Sequence, residues 1–219
     1  MHNKPKTGNS PQTTGVTIHW ASEYDIFSRL LRLGVNQPNS RMVLELARIN
    51  PGDIVLDVCC GTGNLTLTAQ SYAKPGGKVF GIDASPEMIE VAKKKASHSG
   101  SEVVFEVGLI EKLAFPDATF DTVINRLAIH HLPDDVKHRG FEEILRVLKP
   151  GGHLLIADFI PPTNPIFKHI TSALIGSHMM QTNVWSLPEM LQRAGYVEIN
   201  SGPTRSAFLA FVSGKKGKR

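Results

Sequence analysis

The sequence is poor in several features that mark particular classes of protein. Its 219 residues contain two cysteines, Cys59 and Cys60. They are adjacent, and neighbouring side chains on a strand point to opposite faces, so no structural disulfide is expected. No run of about 18 apolar residues occurs, so no transmembrane segment is predicted. The nine histidines show no metal-ligand spacing, and no metal is predicted.

The charge distribution and the first residues also narrow the possibilities. Residues 1–15 are polar and lack the apolar core of a signal peptide, which predicts a cytoplasmic protein in a reducing compartment. The net charge is +4, but six of the 24 basic residues lie in residues 1–15 and 214–219. The other 18 basic residues stand against 20 acidic ones, so the body is nearly neutral. Both ends are expected to be solvated, and nucleic acid is not an expected partner.

One stretch, residues 54–66, organises the rest of the chain. An apolar, partly β-branched run ends on Asp57, and Gly61 and Gly63 follow with one residue between them. This pattern predicts a buried strand, a tight turn and the start of a helix. The glycines allow the backbone to turn sharply and to approach a ligand, which then faces the free N–H groups of the helix start.

The acidic residues of this region indicate a cationic ligand. The Rossmann fingerprint has a third glycine where this chain has Thr66, and a carboxylate at Asp57 repels a pyrophosphate at close range. S-adenosylmethionine, which is net positive, suits Asp57 better. A second strand ends on Asp83, twenty residues after Gly63, where an acid can accept both ribose hydroxyl hydrogens. The alternative is an ordinary βαβ unit whose acids cap the following helices.

The chain resembles the class I S-adenosylmethionine-dependent methyltransferases over about residues 20–212. It is most similar to their small-molecule branch, which includes the ubiquinone/menaquinone biosynthesis C-methyltransferases. The motifs that carry the resemblance are Asp57-x-Cys59-x-Gly61-x-Gly63, Gly81-Ile82-Asp83-Ala84-Ser85, Phe115-Pro116-Asp117, Phe120-Asp121, His130-His131-Leu132 and Val147-Leu148-Lys149-Pro150-Gly151-Gly152.

The resemblance implies S-adenosylmethionine as cofactor and a set of cofactor-binding residues. These are Asp57, Cys59, Gly61, Gly63, Asn64, Asp83, Ala84, Met88, Leu109, Ile110 and Asn125. Leu109 stands where the family usually has an Asp or Asn that accepts from the adenine amino group. We therefore expect a more apolar adenine pocket. Met88 is expected to pack on the adenine, the alternative being a core methionine.

The resemblance also implies a catalytic pair, His131 and Tyr24. Ala128 to Leu132 matches a context in phosphoethanolamine methyltransferases where a histidine works with an N-terminal tyrosine. His131 could act as a base with a pKa near neutrality, assisted by Tyr24 or Asp158. The alternative is that His131 only shapes its loop through backbone hydrogen bonds. Trp20 and Tyr24 lie in the predicted lid region and are candidates to flank the active site. The alternative is that both are core aromatics.

The predicted fold is α/β, a Rossmann-like seven-stranded, mostly parallel sheet with helices on both faces and an antiparallel edge hairpin. Residues 1–15 are a flexible leader, 16–213 a single domain and 214–219 a basic tail. Within the domain, residues 16–50 form N-terminal lid helices and 161–186 an acceptor-side insertion. The insertion's Phe, Ile and Met content suggests an acceptor with apolar surface.

The expected activity is methyl transfer to a small molecule by in-line displacement, in a monomer or homodimer. Three alternatives stay open. A nicotinamide dehydrogenase is disfavoured by Asp57 and Thr66. A protein or nucleic acid methyltransferase is disfavoured by the nearly neutral body. A non-catalytic S-adenosylmethionine-binding protein of the same fold is favoured by Leu109 alone.

Overall fold

The computed structural model describes residues 37–160 and 184–218, with side chains from residue 40 onward. Twelve helices and strands and two short 3-10 turns make up this part of the chain. In order they are α1 (Gln37–Ala47), β1 (Ile54–Val58), α2 (Asn64–Ala73), β2 (Lys78–Asp83), α3 (Pro86–Ser99), β3 (Val104–Val107), β4 (Phe120–Arg126), the 3-10 turn Ile129–His131, α4 (Asp134–Val147), β5 (Leu148–Phe159), the 3-10 turn Val184–Ser186, α5 (Leu187–Arg193), β6 (Val197–Pro203) and β7 (Leu209–Lys215).

The strands form one seven-stranded sheet in the order β3-β2-β1-β4-β5-β7-β6. The first five pair in parallel, and β7 pairs antiparallel with both β5 and β6. The predicted fold class, with its antiparallel edge hairpin, is therefore confirmed. The strand order reverses between β1 and β4, and ligands of open α/β sheets bind at such a point, beyond the carboxyl ends of the strands.

Apolar side chains form a separate core on each face of the sheet. One core lies under α4 and α5 and contains Phe120, Phe141 and Leu187. The other lies under α1, α2 and α3 and contains Val55 and Ile124. Parallel strands that are buried on both faces read as continuous apolar runs, which is why Ile54 to Val58 is apolar except at Asp57. The sheet is thus a rigid support for its carboxyl edge.

The start of α3 has the residues that favour a helix N-terminus. Ser85 caps the helix because its Oγ accepts a hydrogen bond from the Met88 N–H at 3.2 Å, and Pro86 occupies the first turn. Gly100 ends the helix in the left-handed conformation, with φ +63°. This helix start lies at the carboxyl end of β2 and places Met88 beside the ligand-binding edge.

Two element boundaries have identifiable causes. Helix α1 begins at Gln37 and includes Pro38, because proline is tolerated in the first helical turn. Strand β5 begins at Leu148, since the Gly151 N–H donates to the Lys216 carbonyl and extends the pairing. None of the described helices is long and apolar enough to cross a membrane.

The expectation that residues 214–219 are solvated is wrong for Lys216. Its Nζ donates to the carbonyl oxygens of Arg146 at 3.0 Å and Leu148 at 2.8 Å. A cation there satisfies carbonyl groups at the end of α4, where the helix dipole is negative. The beginning of the basic tail is therefore part of the fold.

Candidate functional site

The turn after β1 leaves room for a ligand at Gly61. Cys59 and Gly61 both have left-handed backbone conformations, with φ +54° and +53°. A Cβ placed on Gly61 would meet no atom of the described chain within 4 Å. A Cβ on Gly63, by contrast, would come within 2.5 Å of the Phe105 ring. Gly61 thus keeps the ligand side of the turn open, whereas Gly63 allows the turn to pack against β3.

The carboxylate of Asp83 holds this turn against the start of α3. Its Oδ2 accepts from the Gly61 N–H at 2.8 Å, and its Oδ1 accepts from the Ser85 N–H at 2.9 Å. Burial raises the pKa of Asp83, and the two backbone hydrogen bonds oppose that shift. Each carboxylate oxygen has a second lone pair, so these bonds leave acceptor capacity for ribose hydroxyls.

Asp57 is buried at the end of β1, with 1 % of its surface exposed. The Thr66 hydroxyl donates to its Oδ2 at 2.6 Å. Burial raises the pKa of Asp57 to about 7, although the Thr66 hydrogen bond and the nearby Arg126 charge lower it. A ligand cation next to Asp57 would favour the ionised form, so the site suits the positive charge of S-adenosylmethionine.

Lys95 links α3 to the glycine turn. Its Nζ donates to the Thr62 Oγ1 and to the Asn64 Oδ1, both at 2.9 Å. The side chain of Asn64, predicted to bind the cofactor, is therefore held by a protein cation at the start of α2. No motif in the sequence marks Lys95 as a functional residue. Its position seven residues after Met88, on the inward face of α3, is the signal that could have identified it.

The adenine side of the predicted site lies beyond β2 and β3. Leu109 is half-buried and forms an isolated β-bridge with Lys112. Met88 is buried in the first turn of α3, and Ala84, which lies between β2 and α3, is half-buried. The side chain of Ile110 belongs to the core under α4, where it would lie 3.0 Å from a Cβ on Gly140. The Ile110 side chain is therefore not available to a ligand, in contrast to Leu109.

The end of β4 carries an amide with an unused acceptor. Asn125 is fully buried, and its Nδ2 donates to the Val58 carbonyl at 2.7 Å, which ties β4 to β1 at the topological switch point. Its Oδ1 has no hydrogen-bond partner among the described residues. A ligand donor at this edge would satisfy that atom.

Arg126, the last residue of β4, connects the sheet to α1. One of its guanidinium nitrogens donates to the Ser40 Oγ at 2.8 Å, and Ser40 is buried. The positive charge of Arg126 also lowers the pKa of Asp57. The hydrogen bond from the Arg126 guanidinium to Ser40 therefore joins α1 to the carboxyl edge of the sheet.

The two histidines lie in the 3-10 turn after β4, but they have different surroundings. His130 is buried, and its Nδ1 donates to the Asp158 Oδ1 at 2.5 Å. His131 is half-buried, and its ring centroid lies 4.0 Å from that of His130. Asp158 was predicted to assist His131, but the structure pairs it with His130.

The expected pKa of His131 is wrong. Burial, followed by the neighbouring His130, lowers the pKa of His131 to about 4, against the opposing effect of Asp158. His131 is therefore neutral near pH 7 and has a free lone pair on one ring nitrogen. Burial also raises the pKa of the Cys59 and Cys60 thiols well above the usual range of a cysteine, which favours the protonated thiol over the nucleophilic thiolate.

Two parts of the predicted site lie outside the described residues. These are Tyr24, together with Trp20 and the first lid helix, and residues 161–183 of the acceptor-side insertion. The described residues bring Asp57, Gly61 and Asp83 together at one edge. They place Asn125 near the end of the neighbouring strand β4 and His131 in the 3-10 turn after that strand.

Comparisons with known proteins agree with this geometry. Residues 55–152 match the family model described as a methyltransferase domain. The chain carries a methyltransferase domain. The predicted resemblance to class I methyltransferases is confirmed, and S-adenosylmethionine is confirmed as the cofactor of this domain. The matched residues contain both acidic strand ends, the glycine turn and the histidine pair.

Curated relatives agree with this match. A ubiquinone/menaquinone biosynthesis C-methyltransferase of Geobacter sp. is 37% identical over 153 residues, covering 68% of this chain and 64% of that protein. A demethylmenaquinone methyltransferase of Lactobacillus johnsonii is 33% identical over 150 residues, covering 68% of this chain and 61% of that protein. The match thus spans less than two thirds of these relatives.

The fold of the methyltransferase domain has solved counterparts. An S-adenosylmethionine-dependent methyltransferase from Aquifex aeolicus has a TM-score of 0.71 and 23% identity, covering 91% of this chain and 100% of that one. At this level of identity the likeness concerns the fold alone.

Proposed function

We propose that the protein is an S-adenosylmethionine-dependent methyltransferase whose acceptor is a small molecule with apolar surface. The main support is the junction of Gly61 and Asp83. The turn is open on its ligand side, and the acid that holds it retains acceptor capacity for a ribose. The names of the curated relatives make quinol-type molecules the first acceptors to test.

The residues at the carboxyl edge fit this cofactor. Asp83 would accept from its ribose, Asp57 would face its positive charge, and the Asn125 Oδ1 is a buried acceptor that needs a donor. Leu109 gives the adenine an apolar neighbour. S-adenosylmethionine supplies a methyl group on a sulfonium, which is already activated for transfer to a nucleophile.

The protein's own contribution to the reaction is mainly alignment and the exclusion of water. A base is required only where the nucleophile has to lose a proton. His131 is neutral near pH 7, so one of its ring nitrogens accepts a hydrogen bond or a proton from the acceptor. Tyr24 is the proposed partner of His131 on the N-terminal lid.

The wider setting of the protein is part of the proposal. Residues 16–213 act as one domain, in a cytoplasmic monomer or homodimer, and residues 161–186 wall the acceptor pocket. No nucleic acid is needed as a partner. The competing possibility, a non-catalytic binding protein of this fold, is supported by Leu109, which replaces the family's usual adenine acceptor.

An acceptor screen tests the proposed activity. The protein is mixed with S-adenosylmethionine and single small molecules, beginning with demethylated quinols and followed by phenols, amines and thiols, and release of S-adenosylhomocysteine is measured. The Asp83→Ala variant is the blank. Release with any acceptor supports the enzyme. Measurable cofactor binding without release across the screen would favour the non-catalytic protein.

A further inference from the structure

One carboxylate holds the segment that carries both histidines. Asp158, the second-last residue of β5, has 2 % of its surface exposed. Its Oδ1 lies 2.5 Å from the His130 Nδ1, and its Oδ2 accepts from the His130 main-chain N–H at 3.0 Å. The ring and the backbone of one residue are thus bound to the same side chain.

This pairing determines the state of the His130 ring. An ionised carboxylate can only accept hydrogen bonds, so Nδ1 of His130 carries a hydrogen. Asp158 Oδ1 also accepts from the Phe159 N–H at 2.7 Å. Three N–H donors therefore converge on one buried carboxylate. Asp158 on β5, the strand next to β4, therefore determines the orientation of the His130 ring and its Nδ1–H tautomer.

The ring of His131 packs against this anchored ring. The two centroids are 4.0 Å apart and the ring planes are inclined by 42°. The His131 N–H donates to the Ala128 carbonyl at 3.0 Å, which closes the short turn. Leu127, which leads into the turn, has the left-handed φ of +57°. Such a conformation is strained for a residue that carries a side chain, and it persists where surrounding contacts determine it.

We propose that Asp158 and His130 are a positioning pair that sets the orientation of His131 toward the methyl acceptor. Asp158 fixes His130, and the ring of His130 supports the ring of His131 at the carboxyl edge of the sheet. This inference rests on the proposed function, because the acceptor is what His131 is positioned for. It adds two buried residues to the site, neither of which touches the reacting atoms.

A near-isosteric change separates positioning from a purely structural role. In Asp158→Asn, one carboxylate oxygen is replaced by an NH₂ group. The remaining oxygen can accept either from the His130 main-chain N–H or from its Nδ1–H, whereas the carboxylate accepts from both. The amide NH₂ then faces one of these donors, and the tautomer with a lone pair on Nδ1 becomes favoured. Backbone pairing between β4 and β5 is unaffected by this change.

The test combines histidine NMR with kinetics on the full chain. Ring nitrogens are recorded near pH 7 with S-adenosylhomocysteine added, and the signals are assigned with His130→Gln and His131→Gln. We expect the wild type to show His130 protonated at Nδ1, and Asp158→Asn to lose that signal and to shift the His131 ring. With an acceptor from the screen, kcat should fall about 10- to 100-fold while cofactor affinity stays within about twofold.

Two controls complete the design. Asp135→Asn removes an exposed carboxylate that pairs with Arg139 on α4, and it should change neither the ring signals nor kcat. If Asp158→Asn does not fold, His130→Gln gives the same reading of the His131 ring and of kcat. An unchanged His131 signal in the folded variant, or a wild-type kcat, would overturn the positioning pair. If no acceptor is found, the proposed function fails, but the NMR result still decides whether His130 orients His131.

Discussion

The hydroxyl of Thr66 donates a 2.6 Å hydrogen bond to the carboxylate of Asp57, and both side chains are almost completely buried. Thr66 takes the place of the third glycine of a dinucleotide-binding turn. In this chain the Thr66 hydroxyl is instead a hydrogen-bond donor to Asp57, a carboxylate that would repel the pyrophosphate of a dinucleotide. One hydrogen bond therefore joins the end of β1 to the first turn of α2 and leaves a titratable group in the core.

Asp57 should make the fold less stable as the pH rises. In the fold its pKa is about 7, against 3.8 for the free side chain, so the folded protein retains a proton that the unfolded chain has released. The contribution of Asp57 to stability is present below about pH 4 and is lost as the pH rises through about 7. Its full size is at most about 4 kcal/mol.

Urea unfolding of Asp57→Asn and wild type near pH 5 and pH 8 measures this contribution. Between pH 5 and pH 8 the free energy of unfolding of the wild type should fall by roughly 2–3 kcal/mol more than that of Asp57→Asn, because the variant has no carboxyl proton to lose. Cofactor affinity should fall in the same variant, since a cation loses its carboxylate. The surface variant Asp135→Asn should show little pH-dependent difference. If the difference in the free energy of unfolding between Asp57→Asn and wild type were the same at both pH values, the raised pKa of Asp57 would be contradicted.

Asp83→Ala should weaken S-adenosylmethionine binding by roughly 1.5–3 kcal/mol, the scale of hydrogen bonds to a charged group. The structure adds a second cause, because Asp83 also holds the Gly61 and Ser85 N–H groups. Titration calorimetry gives the affinity, and circular dichroism establishes that the variant is folded. Asp117→Ala, on the surface beside Arg146, is the matched control. An unchanged affinity for Asp83→Ala would remove Asp83 from the site.

Leu109→Asp should bind S-adenosylmethionine as tightly as the wild type or more tightly, by up to about 1 kcal/mol. The new carboxylate supplies an acceptor for the adenine amino group, and Leu109 is already half-buried rather than part of the core. Leu109→Ala distinguishes a new hydrogen bond from the mere loss of apolar volume. Loss of binding in a folded Leu109→Asp would mean that the base lies in an apolar slot that rejects a carboxylate.

Lys95→Met should lower cofactor affinity about 3- to 10-fold, because it removes the link between α3 and the glycine turn while conserving the apolar stem. Lys94→Met, one residue earlier, removes an exposed ion pair with Glu90 and should have no measurable effect. Calorimetry on both variants makes the comparison. Equal affinities in the two variants would show that the turn keeps its shape without Lys95.

His131→Ala and Tyr24→Phe should each lower kcat by about 100-fold or more, with a smaller change in cofactor affinity. The double variant should be little worse than either single one, because residues that act as a unit are not additive. Steady-state rates with an identified acceptor test this. Wild-type turnover in His131→Ala would leave His131 a loop-shaping role alone.

The pH profile gives a separate test of His131. Since the pKa of His131 is about 4, its base form is complete above about pH 5. Protonation of this residue should therefore not reduce kcat between about pH 8 and pH 5, and the decline should begin only below that. A wild-type decline centred near pH 6.5 that is absent in His131→Gln would contradict the lowered pKa.

The local patterns of this sequence were sufficient for its fold. The apolar run that ends on Asp57, the glycine spacing and the Ser85-Pro86 helix start are short-range features, because each depends on backbone conformation and capping within a few residues. They identified the βαβ unit, the carboxyl edge and the acids on it. The seven-stranded, mostly parallel sheet was predicted together with the resemblance to the class I methyltransferases.

The tertiary structure decided which groups satisfy one another. Lys95 reaches a turn 31 and 33 residues away, and Asp158 binds a residue 28 positions before it. Such pairs follow from strand order and from helix packing, which no local pattern encodes. The pKa values of Asp57 and His131 belong to the same class, because desolvation depends on everything that covers a side chain. The sequence therefore determined where ligand-binding acids could stand, and the packing determined their charge and their partners.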